Sequence, residues 1–204
     1  MKKFLFLFIL ALYSQLSGQL SPTENYIQSI TCLNEDCTRK SEAVTYYDGL
    51  GRPKQIVNVK ATTTGKDLVT PITYDGFGRR TKEILPTPLS TLNSAIHSGV
   101  TNESTANSYY GVSNAYAEKE LENSPLDRVL QLAQAGDSWK MSSGHTEKIK
   151  YEANNANEVM KFVTNTQWVN GATSSAISLA TDINSENGNY KTAQLYKTTI
   201  TDED

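Results

Sequence analysis

The segment Tyr47-Asp48-Gly49-Leu50-Gly51-Arg52 returns as Tyr74-Asp75-Gly76-Phe77-Gly78-Arg79, 27 positions further on. A chain that repeats a short unit is built of pieces too small to bury their own apolar face, so the copies must lie side by side. The variable position is Leu50 in one copy and Phe77 in the other, both apolar. Asp-Gly behind an aromatic strand end is a hairpin signal, since glycine accepts positive φ and aspartate can accept the turn amides. Gly51 and Gly78 relax the second bend in the same way. The tyrosine ring is expected over the neighbouring strands, and the arginine over that ring or against the turn aspartate. These assignments give every kept residue a role in folding.

The surrounding sequence agrees with a mostly β chain. Strand patterns fall at 27–30, 43–47, 55–59, 68–74 and 81–85. The period of two puts Val57 and Val59 on one face, and Leu68, Thr70, Ile72 and Tyr74 on one side of the next strand. Pro71 marks an edge or a bulge there. Residues 86–122 carry two prolines and no clean period, and read as an irregular connection with a short helix near 89–97 and a helical turn at 118–121. Beyond Asn123-Ser124-Pro125 the strand signals resume, at 145–152, 159–163, 166–169 and 190–200. Leu126-Asp127-Arg128-Val129-Leu130 is a candidate worn third copy, and Asn170-Gly171 and Asn187-Gly188 are tight-turn dipeptides. The expected layout is a leader at 1–18, a β region with two repeats at 19–85, the connection at 86–122, and a second β region at 123–204 that stops before further repeats.

Lys2-Lys3, an apolar run over 4–13 and the small residues Ser17-Gly18 have the form of a secretory signal peptide. The run is shorter than the ~20 residues of a membrane span, so none is expected after cleavage. Loss of the two lysines takes the net charge from −3 to −5. Export places Cys32 and Cys37, the only cysteines, in an oxidising compartment, where they are a candidate disulfide around residues 33–36. The longest basic runs are Arg39-Lys40 and Arg79-Arg80, which argues against nucleic acid.

No cofactor or metal is expected. His97 and His145 are too far from the two thiols in sequence for zinc spacing, and neither histidine sits in a nucleophile motif, so catalysis is not expected. The segment 182–188 alternates oxygen ligands. However, it has Asn187 where a calcium loop needs glycine and Ala193 where it needs an acid, and a polar turn accounts for it better. Trp139 and Trp168 are the candidate ligand contacts, because aromatic faces stack on sugar rings.

The two hexapeptides resemble the tyrosine-aspartate repeats of the RHS (rearrangement hotspot) family, with Tyr47, Asp48, Gly51 and Arg52, then Tyr74, Asp75, Gly78 and Arg79, at the family's positions. Together with the leader, Asn123-Ser124-Pro125-Leu126-Asp127-Arg128-Val129 and Gly144-His145-Thr146, the chain is similar to the N-terminal domain that precedes RHS repeats in secreted bacterial proteins. The resemblance implies strand-turn-strand repeats forming an antiparallel sheet, which in long relatives curls into a shell around a C-terminal toxin or attachment module. It implies a secreted or surface structural domain whose partners are further repeats or surface proteins. A carbohydrate- or protein-binding module using exposed aromatics is the competing expectation.

Overall fold

The computed structural model describes residues 20–203, so the leader read at 1–18 lies outside the described residues. The chain divides into two compact units, the first ending at Thr146 and the second covering Glu147–Glu203. Both are built from antiparallel strands.

In the first unit, β1 (Asn25–Cys32), β2 (Lys40–Tyr47), β3 (Pro53–Asn58) and β4 (Asp67–Pro71) follow one another in a sheet. Strand β5 (Lys82–Ile84) leaves that sheet, and β6 (Thr87–Leu89) returns to pair with β4. Helix α1 (Ser104–Tyr110) precedes β7 (Tyr116–Leu121) and β8 (Val129–Ala133). Strand β7 pairs with β5 on one side and β8 on the other. The second unit pairs β9 (Glu147–Ala153) with the last strand. Between them come β10 (Phe162–Val169) and β11 (Ala172–Leu179), then the two-residue strands β12 (Ser185–Glu186) and β13 (Asn189–Tyr190). The last strand, β14 (Tyr196–Thr201), runs antiparallel to β9. Both tight-turn dipeptides close hairpins, with φ of 52° and 78° at Asn170 and Gly171 and 51° and 79° at Asn187 and Gly188, the doubly left-handed form a two-residue loop requires.

Period-two patterning builds the main core. Val44 and Tyr46 of β2, Val57 of β3 and Val69 of β4 are fully buried and pack with Val100, and Leu20, Val59, Leu89 and Ile96 cover the cluster. A smaller core joins Ile84, Ala106 and Ala115. The expected face of β4 is corrected. The alternation is right, but Asp67, Val69 and Pro71 point inward while Leu68 and Thr70 are half-buried. A charged residue at the strand's start hides the true inward face from a hydropathy reading.

Asp67 is buried because its carboxylate is fully used. Oδ1 accepts the Lys60 amide at 2.9 Å, and Oδ2 accepts the Leu92 amide at 2.9 Å and lies 3.1 Å from His97 Nε2. Burial pushes its pKa up, but the Lys60 and Leu92 amides, Thr91 and His97 more than offset this, and the net shift is downward. Gln55 adds a second buried staple, donating to the carbonyls of His97 and Val100 and accepting the His97 amide. The Tyr46 hydroxyl donates to the Ser94 carbonyl at 2.6 Å. These bonds replace secondary structure along 91–100, where buried backbone groups must find partners.

The reading of 86–122 as an irregular connection with helix at 89–97 and 118–121 is corrected. It supplies β6, α1 and β7. The helix expected at 89–97 is excluded by the left-handed backbone of Asn93 and Ser94, at φ 50° and 78°. It forms instead at α1, where Asn102 Oδ1 accepts the Ser104 amide and Gly111, at φ 68°, donates its amide to the Asn107 carbonyl as a left-handed C-terminal cap. The helical turn expected at 118–121 is strand β7, fixed by the pairing of Glu118 with Lys82.

Asp67→Ala leaves the Lys60 and Leu92 amides and the buried His97 ring without their common acceptor and should lower the unfolding free energy by about 3 kcal/mol. Lys66→Ala, at an exposed neighbour, should change it by less than about 0.5 kcal/mol. Urea denaturation of both variants checks the difference.

Candidate functional site: a ladder of carboxylate-clamped corners

The two copies of the repeat fold into the same corner, bond for bond. The amide of Asp48 donates to the Arg52 carbonyl at 2.8 Å, and the amide of Gly51 to the Asp48 carbonyl at 3.1 Å. In the second copy the Asp75 and Gly78 amides make the equivalent bonds at 2.9 and 3.0 Å. One carboxylate oxygen of Asp48 accepts the amides of Leu50 and Arg52, each at 2.9 Å, and the other accepts Arg52 Nε at 2.8 Å. Asp75 does the same with Phe77 and Arg79, at 2.9, 2.9 and 2.8 Å. Both carboxyls are held below the ordinary aspartate range, chiefly by the arginine's backbone amide and then by its side chain. This is the three-residue hairpin loop in which a turn is followed by one left-handed residue.

Only the second glycine of each copy is conformationally required. Gly51 and Gly78 have φ of 75° and 79°, whereas Gly49 and Gly76 are not left-handed and have open space around them. The expectation that Asp-Gly itself supplies the positive φ is corrected accordingly. Tyr47 is half-buried at the end of β2, and the core aromatic is its neighbour Tyr46.

Successive corners are joined through their arginines. The guanidinium of Arg52 lies over the ring of Tyr74, 4.4 Å from its centroid, and the Tyr74 hydroxyl donates back to the Pro53 carbonyl at 2.8 Å. A Cβ on Gly78 would stand 3.0 Å from the Arg52 guanidinium. The arginine therefore covers the next copy's tyrosine as well as binding its own aspartate. The corners differ in what leaves them. The first joins β2 to β3 as a hairpin, whereas the second leads out of the β4 sheet into β5, which pairs with β7. The two corners are neighbours, but the strands that follow them do not all lie in one layer.

A third corner follows. The Glu122 amide donates to the Arg128 carbonyl at 2.9 Å, and its carboxylate accepts Arg128 Nε at 2.9 Å and Nη2 at 2.7 Å. Asp127 takes the left-handed place of the glycine, at φ 50°. The loop is two residues longer, and Glu122 rather than an aspartate is the clamp. The Arg128 side chain, with Ser124 behind it, holds the Glu122 carboxyl down at about 2. Arg79 joins the second corner to the third, with Nη1 2.7 Å from Asp127 Oδ1.

A related set of bonds, with the partners shifted by one residue on the returning side, forms in the second unit around the buried Asn154. Its amide donates to the Leu195 carbonyl at 3.0 Å, the Ala193 amide donates to its carbonyl at 2.9 Å, and its side-chain oxygen accepts the amides of Gln194 and Leu195 at 3.0 and 2.8 Å. Ala193 is left-handed at φ 63°. Asn154 thus gathers the returning chain as Asp48 does, in a different register, with residues 155–192 between the two sides. Sequence reasoning reached the third copy from Asp127-Arg128 but missed Glu122, whose clamping role is visible only when the longer loop is allowed for. No local signal marks Asn154, because its partners lie some forty positions away.

Residues 20–153 match the sequence model of a domain of unknown function, DUF6443, over about two thirds of the chain. The chain belongs to the DUF6443 family. No curated protein and no solved structure matches it. The matched stretch of the DUF6443 domain contains all three charged corners.

The other candidate residues lie elsewhere. Cys32 and Cys37 are joined as a disulfide closing the β1–β2 loop. Trp139 is exposed, with its ring edge-on to His145 at 5.7 Å. Trp168 projects from β10 and is 74% exposed. Trp139 belongs to the first unit and Trp168 to the second. Asp182 is occupied by Lys161 Nζ, at 3.1 and 3.0 Å, and by the Asn184 amide. Among the described residues no helix is long and apolar enough to cross a membrane.

Gly51→Ala should cost about 1 kcal/mol and Gly49→Ala almost nothing, by thermal unfolding. Gly78→Ala should cost more than Gly51→Ala, because it also displaces the Arg52 guanidinium. Corner carboxyls are more acidic folded than unfolded, so the unfolded chain binds more protons in acid and stability is lost as pH falls. For Glu122 the loss runs from its ordinary 4.5 down to about 2. Glu122→Gln should flatten that part of a plot of Tm against pH.

Proposed function

We propose that this DUF6443 chain is an exported, non-catalytic scaffold of the RHS type that starts or caps a larger β shell or surface assembly. The observation that carries the reading is the Arg52 guanidinium lying over Tyr74. A residue kept in each copy serves the copy that follows, as units that stack side by side require. Arg79 repeats the arrangement toward Asp127. The apolar residue at each corner tip also supports assembly, since Leu50, Phe77 and Leu126 are 78%, 78% and 70% exposed. Further repeats or surface proteins are the partners this row of tips suits, and a shell of such repeats would enclose a toxin or attachment module. His97 supports the non-catalytic reading, because it is 7% exposed and its ring faces Asp67.

A double-mutant cycle over Arg52→Ala and Tyr74→Leu tests the ladder. A coupling of about 0.5–1 kcal/mol is expected, and strictly additive effects would count against it. N-terminal sequencing of the chain secreted by a bacterial host should begin after Gly18, and a retained Lys2-Lys3 would remove export.

A second reading rests on the exposure of Trp168. Binding to a glycan array that Trp168→Ala or Trp139→Ala abolishes, with Tm unchanged, would make the chain a carbohydrate-binding module. On the scaffold reading neither change alters any binding.

A further inference from the structure

An open cavity of about 680 Å³, lined largely by exposed side chains, lies in the first unit, away from the corners. Its size falls within the ~300–1,000 Å³ of small-molecule sites. One wall is the disulfide-closed loop, made rigid by bonds from the Leu33 amide to the Arg39 carbonyl at 2.7 Å and from the Arg39 amide to Asn34 Oδ1 at 2.8 Å. The other wall is Lys60 with Asn93 and Ser94, drawn together by Asp67, which accepts the amides of Lys60 and Leu92.

Lys60, Asn93 and Ser94 are all left-handed, at φ 49°, 50° and 78°. Strained backbone of this kind persists only where its surroundings fix it, and it gathers at binding sites. At the back, the charge of Glu42 is answered within the site by Lys40 at 2.8 Å, Gln28 Nε2 at 2.8 Å and the Ser94 hydroxyl. Asp36 is turned toward Thr38. Arg39 and Lys60, one from each wall, have no acidic partner among the described residues. The cavity thus offers two uncommitted cations, with the Asn93 amide also on its lining.

We infer that this cavity binds an acidic saccharide, with its carboxylate or sulfate taken by Arg39 and Lys60 and its hydroxyls toward Asn93. An anion held by charge-assisted bonds, on a body rich in hydroxyls, matches a polar pocket with surplus positive charge. The site is independent of the corners and of both tryptophans.

Calorimetric titration of the full chain with a galacturonate trisaccharide, its neutral galactose counterpart and sodium sulfate tests the inference. The acidic trisaccharide should bind and the neutral one should not, with sulfate a weak competitor. Arg39→Gln and Lys60→Gln should each weaken binding about tenfold at unchanged Tm, and Trp168→Ala should leave it intact. No binding of the acidic trisaccharide, equal binding of the neutral one, or undiminished binding by the Arg39→Gln/Lys60→Gln double variant would overturn the inference. Sulfate binding as tightly as the trisaccharide would also overturn it, by showing a site for a bare anion.

Discussion

A carboxylate at the entrance of a tight turn, accepting two amides of that turn and the arginine that leaves it, organises this chain. The aspartate satisfies donors that a strand end would leave to water, and its charge makes each bond stronger than a neutral one. The Asp48 and Asp75 side chains remain 23% and 22% exposed, so the ion pairs escape the full desolvation that makes buried pairs costly. The turn also sets the start of the return strand, and with it the register that puts Val44 and Tyr46 opposite the inward side of β3. The buried face of the sheet thus depends on a surface contact.

The corner tolerates change wherever its bonds do not pass. Glu122 reaches across a loop two residues longer because its side chain is one methylene longer. At Asn154 a neutral amide holds the returning chain by a related set of backbone bonds, and residues 155–192 come between the two sides while β9 still pairs with β14. Closing a longer loop costs only a slowly growing entropy, so a corner fixed at its base can carry a large insertion. On β10 and β11, which the insertion carries, every residue is exposed and none is charged, as on β1.

Much of this was legible in the sequence, and the misses have physical causes. The strands of the first sheet and the two Asn-Gly turns follow from periodicity and turn chemistry, and the repeat announces the corners. No strand was expected at β11, and the strands expected at 159–163 and 166–169 are the single strand β10. The inward face of β4 was missed because Asp67, a residue that composition places in solvent, is satisfied by amides from two distant segments. The helix was placed at 89–97 because nothing local reveals that Asn93 and Ser94 are left-handed. Their conformation is fixed from outside, by Tyr46 and Asp67. Asn154 was invisible for the same reason, since half of its corner lies beyond an insertion. In each case the deciding bond is long-range in sequence, and a reading of neighbours cannot contain it.

The second corner shows what this design permits. Its turn bonds all close between Asp75 and Arg79, so nothing in the corner requires the strands on either side to pair. At Asp48 they do pair, and the result is a hairpin. At Asp75 they separate, β4 remaining with β3 while β5 joins β7, although the corner itself is unchanged. The motif fixes the direction of the bend and leaves the choice of sheet to the flanking residues. The contact between corners then falls to the arginines, which bridge one copy to the next whether or not their strands share a layer. A sheet assembled in this way can change layers at any corner without losing the repeat.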